Sequence, residues 1–74
     1  MKNRDRDLMT RQRLRVGKSY FLRNYGETSS FLVLEALDEY DYRVKDLLSM
    51  ENYPYSRLTR YGLGPDFDLR ELEG

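Results

Sequence analysis

The side chains best suited to chemistry in this 74-residue chain sit in two short stretches, and neither completes a reactive set. Asp66 and Asp68 alternate in GLGPDFD, so in a strand their carboxylates share one face and could offer oxygens to a hard cation such as Ca²⁺ or Mg²⁺. Two exposed carboxylates more commonly serve as solvated charges that keep a sheet edge from pairing with another molecule. The glycines of GLGPD superficially resemble a phosphate loop, but no long helix follows them and no lysine accompanies them, so the stretch reads as a turn. Lys18 and Ser19 are adjacent, and adjacent strand residues point to opposite faces, which excludes a serine–lysine dyad within a strand. With no histidine and no cysteine, a nucleophile lacks its usual activating base, and a metal lacks imidazole and thiolate ligands. The sequence therefore assigns no catalytic residue, no cofactor, no cofactor-binding residue and no metal ligand, and the chain is expected not to be an enzyme.

Recognition chemistry is better represented. Seven tyrosines are present, and a tyrosine offers amphipathic contact area with little rotamer entropy to lose. Tyr40, Tyr53, Tyr55 and Tyr61 are the candidates for a protein contact, against the alternative that they complete a thin core with their hydroxyls reaching water. The net charge of zero hides a partition. Residues 1–18 hold seven Lys/Arg and two Asp/Glu, a net of +5, and residues 19–74 hold six and eleven, a net of −5. Arg11, Arg13, Arg15 and Lys18 are therefore candidates for a second kind of contact, with nucleic-acid phosphates. Leu14 and Val16 alternate with these arginines, as in a strand entering the fold.

These residues need a scaffold, and the length allows only one small domain. Residues 1–15 read as a basic arm, mobile before about Thr10 because charge dominates it, and residues 16–74 as the folded unit. No apolar run resembles a signal peptide or a membrane span, so a cytoplasmic protein without a membrane partner is expected.

In the body, short apolar runs alternate with turn-forming clusters, which predicts strands. KSYFLRN, residues 18–24, is the first. A turn at 24–29 uses Gly26, and SFLVLEALD, residues 30–38, is the second, with apolar residues at four consecutive positions that require cover on both faces. YRVKDLL, residues 42–48, is the third. A three-residue loop at 39–41 would set Glu35 opposite Lys45 and Ala36 opposite Val44. Pro54, and Leu58 with Tyr61 three residues on, then predict one or two helical turns ending at Gly62. FDLREL, residues 67–72, predicts a last strand, although Asp68 and Glu71 also match a capping box. Leu22, Leu32, Leu34, Val44, Leu58, Phe67 and Leu69 are the expected core.

The stretch ALDEYDYRV, residues 36–44, is similar to the signature with which signalling SH3 domains build a groove for proline-rich peptides. The tryptophan that completes such a groove is absent, and Asn52-Tyr53-Pro54 has the wrong order and spacing, so the stretch reads as an acidic hairpin tip. The order of elements, meander strands followed by a short helical turn and a last strand, resembles the SH3-like small β-barrel over residues 16–72. The resemblance implies a mainly β fold, an antiparallel barrel of about five strands with a short helical turn before the last. It implies no particular function. The expected role is a non-catalytic protein-interaction or adaptor module. The alternative is a nucleic-acid-binding barrel that uses the basic arm, which the acidic body disfavours by repelling phosphates elsewhere.

Overall fold

The computed structural model describes residues 14–72. Expected arm residues Arg11 and Arg13, with the whole stretch before Leu14, lie outside the described residues. The fold is mainly β, with five antiparallel strands among the described residues: β1 Ser19–Asn24, β2 Glu27–Ala36, β3 Tyr42–Asp46, β4 Asn52–Pro54 and β5 Asp68–Glu71. One 3₁₀ turn, Tyr55–Thr59, separates β4 from β5. The sheet order is β4-β3-β2-β1-β5, so the first strand lies between the second and the last. Among the described residues no helix is long and apolar enough to cross a membrane.

The sheet does not close into a barrel: β4 and β5 form its two ends and are not paired with each other. The short end strands account for this. β4 has three residues and finishes at Pro54, whose nitrogen has no hydrogen to donate, and the 3₁₀ turn begins at the next residue.

Alternation along the strands sets the core. Tyr20 and Leu22 of β1, Phe31 and Val33 of β2, Tyr42 and Val44 of β3, and Tyr53 of β4 point inward, and Tyr55 and Leu14 join them. Of the expected core, Leu22 and Val44 are buried, and Leu58, Phe67 and Leu69 are half-buried against the cluster. Leu32 and Leu34 are corrections, because the half-buried face of β2 carries them while Phe31 and Val33 fill the interior.

The register explains the exchange. Glu35 faces Arg43, not Lys45, and Ala36 faces Tyr42, not Val44. Between Val33 and Glu35 the register shifts, so Leu34 is the extra residue of a β-bulge and Val33 faces Val44. The loop runs over residues 37–41, not 39–41, because the Leu37 and Asp38 N–H groups both donate to the Asp41 carbonyl, at 2.9 and 3.3 Å. The ion pair that sits beside this register is Arg43 Nε with Glu35 Oε2 at 2.6 Å.

Two further expectations shift. The β1–β2 connection is only Tyr25-Gly26, both at positive φ (52° and 79°), so β2 starts at Glu27 and not at Ser30. Leu14 and Val16 do not enter as a strand. Residues 16–17 turn, with Gly17 at φ 91°, which buries Leu14 and leaves Val16 56% exposed. The 3₁₀ turn and last strand lie where the sequence places them, and Gly62 has the left-handed backbone (φ 90°) expected after the turn.

Candidate functional site

A groove of about 680 Å³ opens where the β1–β2 turn, the β3–β4 turn and the segment from the 3₁₀ turn to Tyr61 come together. Its fixed parts are polar and locally determined. Asn24, the last residue of β1, is buried and fully engaged: its amide donates to the Leu58 and Gly62 carbonyls at 3.2 and 3.0 Å, and its carbonyl oxygen accepts the Gly64 N–H at 2.8 Å. One side chain thus ties the β1–β2 turn to the chain following the 3₁₀ turn. Asp66 makes a second tie, accepting the Tyr25 and Gly26 N–H groups at 2.8 Å each. These donors, Gly26 first, hold its carboxyl below the usual range.

Asp46 closes the β3–β4 side. Its Oδ1 accepts the Leu48 and Ser49 N–H groups at 2.8 and 2.9 Å, and its Oδ2 accepts the Tyr53 hydroxyl at 3.1 Å. The backbone donors, Ser49 foremost, lower its pKa from the ordinary 3.8. Burial, and then the Asp46 carboxylate, push the Tyr53 hydroxyl up to about 12. Tyr53 is therefore neutral at physiological pH, and its hydroxyl donates to Asp46.

Arg57 lies over the Tyr53 ring at 4.8 Å and Arg60 over the Tyr61 ring at 5.3 Å. Both line the groove, as do Glu27 and Glu51, and none of these four makes an ion pair with another described residue. By contrast Arg15, Arg43 and Arg70 each hold a carboxylate. The groove therefore presents two guanidiniums and two carboxylates on a rim that also carries Tyr61, 77% exposed. Next to it a shallower hollow of about 350 Å³ shares Ser29 and Asp46 and is bounded by Leu47 and Leu48.

The candidate residues are thus divided. Tyr53 and Tyr61 meet at the groove. Tyr55 is buried in the core at 4% exposure, and burial raises its pKa. Tyr40 is exposed in the β2–β3 loop, away from the groove. Arg15 is exposed and pairs with Glu71 at 3.3 Å, and Lys18 is exposed beside it, both outside the groove. Of the two carboxylates that could have met a cation, Asp66 holds backbone N–H groups and Asp68 holds Arg70 at 2.6 Å.

Sequence reasoning missed Arg57, Arg60, Asn24 and Asp46. The arginines had a signal, since a spacing of three within SRLTRY puts both on one side of a helical turn. Asp46 had one as well, an aspartate followed two and three residues later by turn N–H groups. Asn24 had none, because its partners lie 34 to 40 residues away. Comparison with protein-family models, curated proteins and solved structures returns no match.

Proposed function

We propose that the chain is a non-catalytic protein-interaction module of SH3-like architecture, and that the groove beside the 3₁₀ turn is its contact surface. The architectural part rests on four strands in meander order, a fifth strand that pairs with the first, and, among the described residues, one 3₁₀ turn before that last strand. The functional part rests on one observation. The groove's framework is saturated with internal hydrogen bonds, while its rim keeps Arg57, Arg60, Glu27 and Glu51 without ion-pair partners among the described residues. Rim charges of both signs on a rigid frame suit the mixed chemistry of a polypeptide, with Tyr61 supplying contact area.

A photo-crosslinking residue in place of Tyr61, installed in the cells that make the protein, tests this. The expected result is a discrete protein adduct that survives nuclease and is missing when the same residue replaces Glu35. An adduct destroyed by nuclease would overturn the reading.

Nucleic-acid binding is the second reading, and one observation favours it. On the outward face, Arg23 and Arg70 each lie 5.8 Å from the Phe21 ring centre, and Lys45 occupies the same face two strands away. If phosphates are the target, replacing Arg11, Arg13 and Arg15 with glutamine should reduce the slope of log affinity against log salt by roughly 0.7–0.9 for each phosphate no longer neutralised. A salt slope unchanged by the triple substitution counts against the basic arm as a phosphate clamp.

A further inference from the structure

The groove and the hollow beside it form one surface with two different halves. On the groove side, Arg57 and Arg60 lie over the rings of Tyr53 and Tyr61, 4.8 and 5.3 Å from the ring centres, and these contacts restrict where each guanidinium sits. A guanidinium stacked on a ring keeps its in-plane N–H groups available for an acceptor. The acceptor's charge is limited by the other residues of the groove, since Glu27 and Glu51 line it as well. Glu27, Glu51 and Asp46 all line the groove, and their repulsion grows with the ligand's charge, so it disfavours a phosphate dianion or a strand of phosphates more than a single carboxylate.

Across Asp46 the surface becomes apolar. Leu48 is 93% exposed, and Leu47 and Met50 are exposed too. An exposed leucine on a mobile loop means little, but this tip is fixed. Asp46 accepts the N–H groups of Leu48 and Ser49, and the Met50 N–H donates to the Asp46 carbonyl at 2.8 Å. The turn thus holds three apolar side chains at the surface, Leu48 almost wholly in solvent, and together they offer apolar area that a partner could cover.

We infer that the module takes an extended polypeptide segment of another protein that carries an aspartate or glutamate for Arg57 and Arg60 and an apolar side chain for the Leu47–Leu48 tip. The inference rests on the groove reading above and specifies the ligand. The occupant is a peptide and not a nucleic acid because the two halves ask for one negative charge and one apolar group close together, which a polyphosphate chain does not offer.

Selection from a displayed random dodecapeptide library, run on the wild-type protein, on R57Q/R60Q and on L48S, tests it. Backbone amide spectra of each protein first establish that the variants remain folded. Peptides recovered on the wild type are then synthesised and titrated. The expected outcome is a consensus with Asp or Glu at a fixed distance from an apolar residue, and shifts of the Ser49 and Tyr61 amides on binding. Affinity should fall roughly tenfold or more in R57Q/R60Q and severalfold in L48S. In R57E/R60E the acidic position should be replaced by Lys or Arg. Peptides that move the groove amides but lack an acidic residue would overturn this inference and leave the peptide-groove reading standing. Failure of every recovered peptide to move those amides would overturn both.

Discussion

At one end of the sheet the rings of Tyr20, Phe31, Tyr55 and Tyr42 touch in sequence, with centroids 5.9, 5.7 and 6.3 Å apart, and Leu14 packs among them. At the other end Leu22 gives way to Asn24, and Phe31 gives way to Ser29, so the same inward-facing rows of β1 and β2 turn from apolar to polar within one or two positions. The aromatic end is plugged and the polar end is a groove. Residues of one type serve differently at each. Tyr42 accepts the Leu14 N–H and Tyr20 the Arg15 N–H, which closes the plug over the incoming chain, whereas Tyr61 is left in solvent. The interior of a small sheet can thus be divided lengthwise, with apolar packing concentrated at one end and a polar groove at the other.

That division predicts where substitutions act. Phe31, fully buried at the centre of the ring series, has the largest expected effect. Phe31→Ala should cost about 3–5 kcal/mol. A domain this small has little more than that in reserve, so urea titration should show most of the cooperative transition abolished. A loss below about 1 kcal/mol would mean that the plug is not where stability resides.

Leu14 comes next and tests where the folded unit begins. Sequence alone starts it at residue 16, yet Leu14 is 7% exposed within the core and its N–H is bound by Tyr42. Leu14→Ala should cost about 2 kcal/mol, while Val16→Ala, at an exposed turn, should change stability by no more than about 0.5 kcal/mol. Equal effects at the two positions would return the boundary to residue 16.

What the sequence revealed, and what it hid, follows the same line between local and distant causes. β1, β2, the start of β3, β5, the 3₁₀ turn and its terminating Gly62 are legible because alternation, proline and glycine act within a few residues, whereas the three-residue β4 was not foreseen and β3 stops at Asp46, short of the expected Leu48. The β2–β3 register was not, since a bulge at Leu34 has no residue signature of its own and charge pairing fits Lys45 as well as Arg43. Missing the bulge reversed the face of β2 and hid Phe31 and Val33. The groove was half legible. Tyr53 and Tyr61 are conspicuous as tyrosines, but their separation from Tyr55 and Tyr40 depends on which way β4 faces and on Asn24 joining segments far apart in the chain.

Effects smaller than those at Phe31 and Leu14, about 1 kcal/mol each, come from two tyrosines on either side of Pro54, and they have opposite signs. Both are buried. The Tyr53 hydroxyl donates to Asp46, while the Tyr55 hydroxyl, inside the aromatic plug, has no hydrogen-bond partner among the described residues. A buried hydroxyl without a partner carries a desolvation cost of roughly 1–3 kcal/mol, so Tyr55→Phe should stabilise the domain by about 1 kcal/mol. Tyr53→Phe removes a bond to a charged acceptor and should destabilise it by about 1 kcal/mol near neutral pH. Acid separates the two. Asp46 has a folded-state pKa below its ordinary 3.8, so the stability linked to its ionised form is present above 3.8 and is lost as pH falls through the lower folded value. The gap between wild type and Tyr53→Phe should therefore narrow as the pH is lowered past 3.8, whereas the gain from Tyr55→Phe should stay constant over the same range. Urea titrations of the three proteins at several acidic pH values measure both. A destabilising Tyr55→Phe would show that the plug contains a hydrogen bond to that hydroxyl, and a Tyr53→Phe gap that ignores pH would show that Asp46 does not depend on its tyrosine partner.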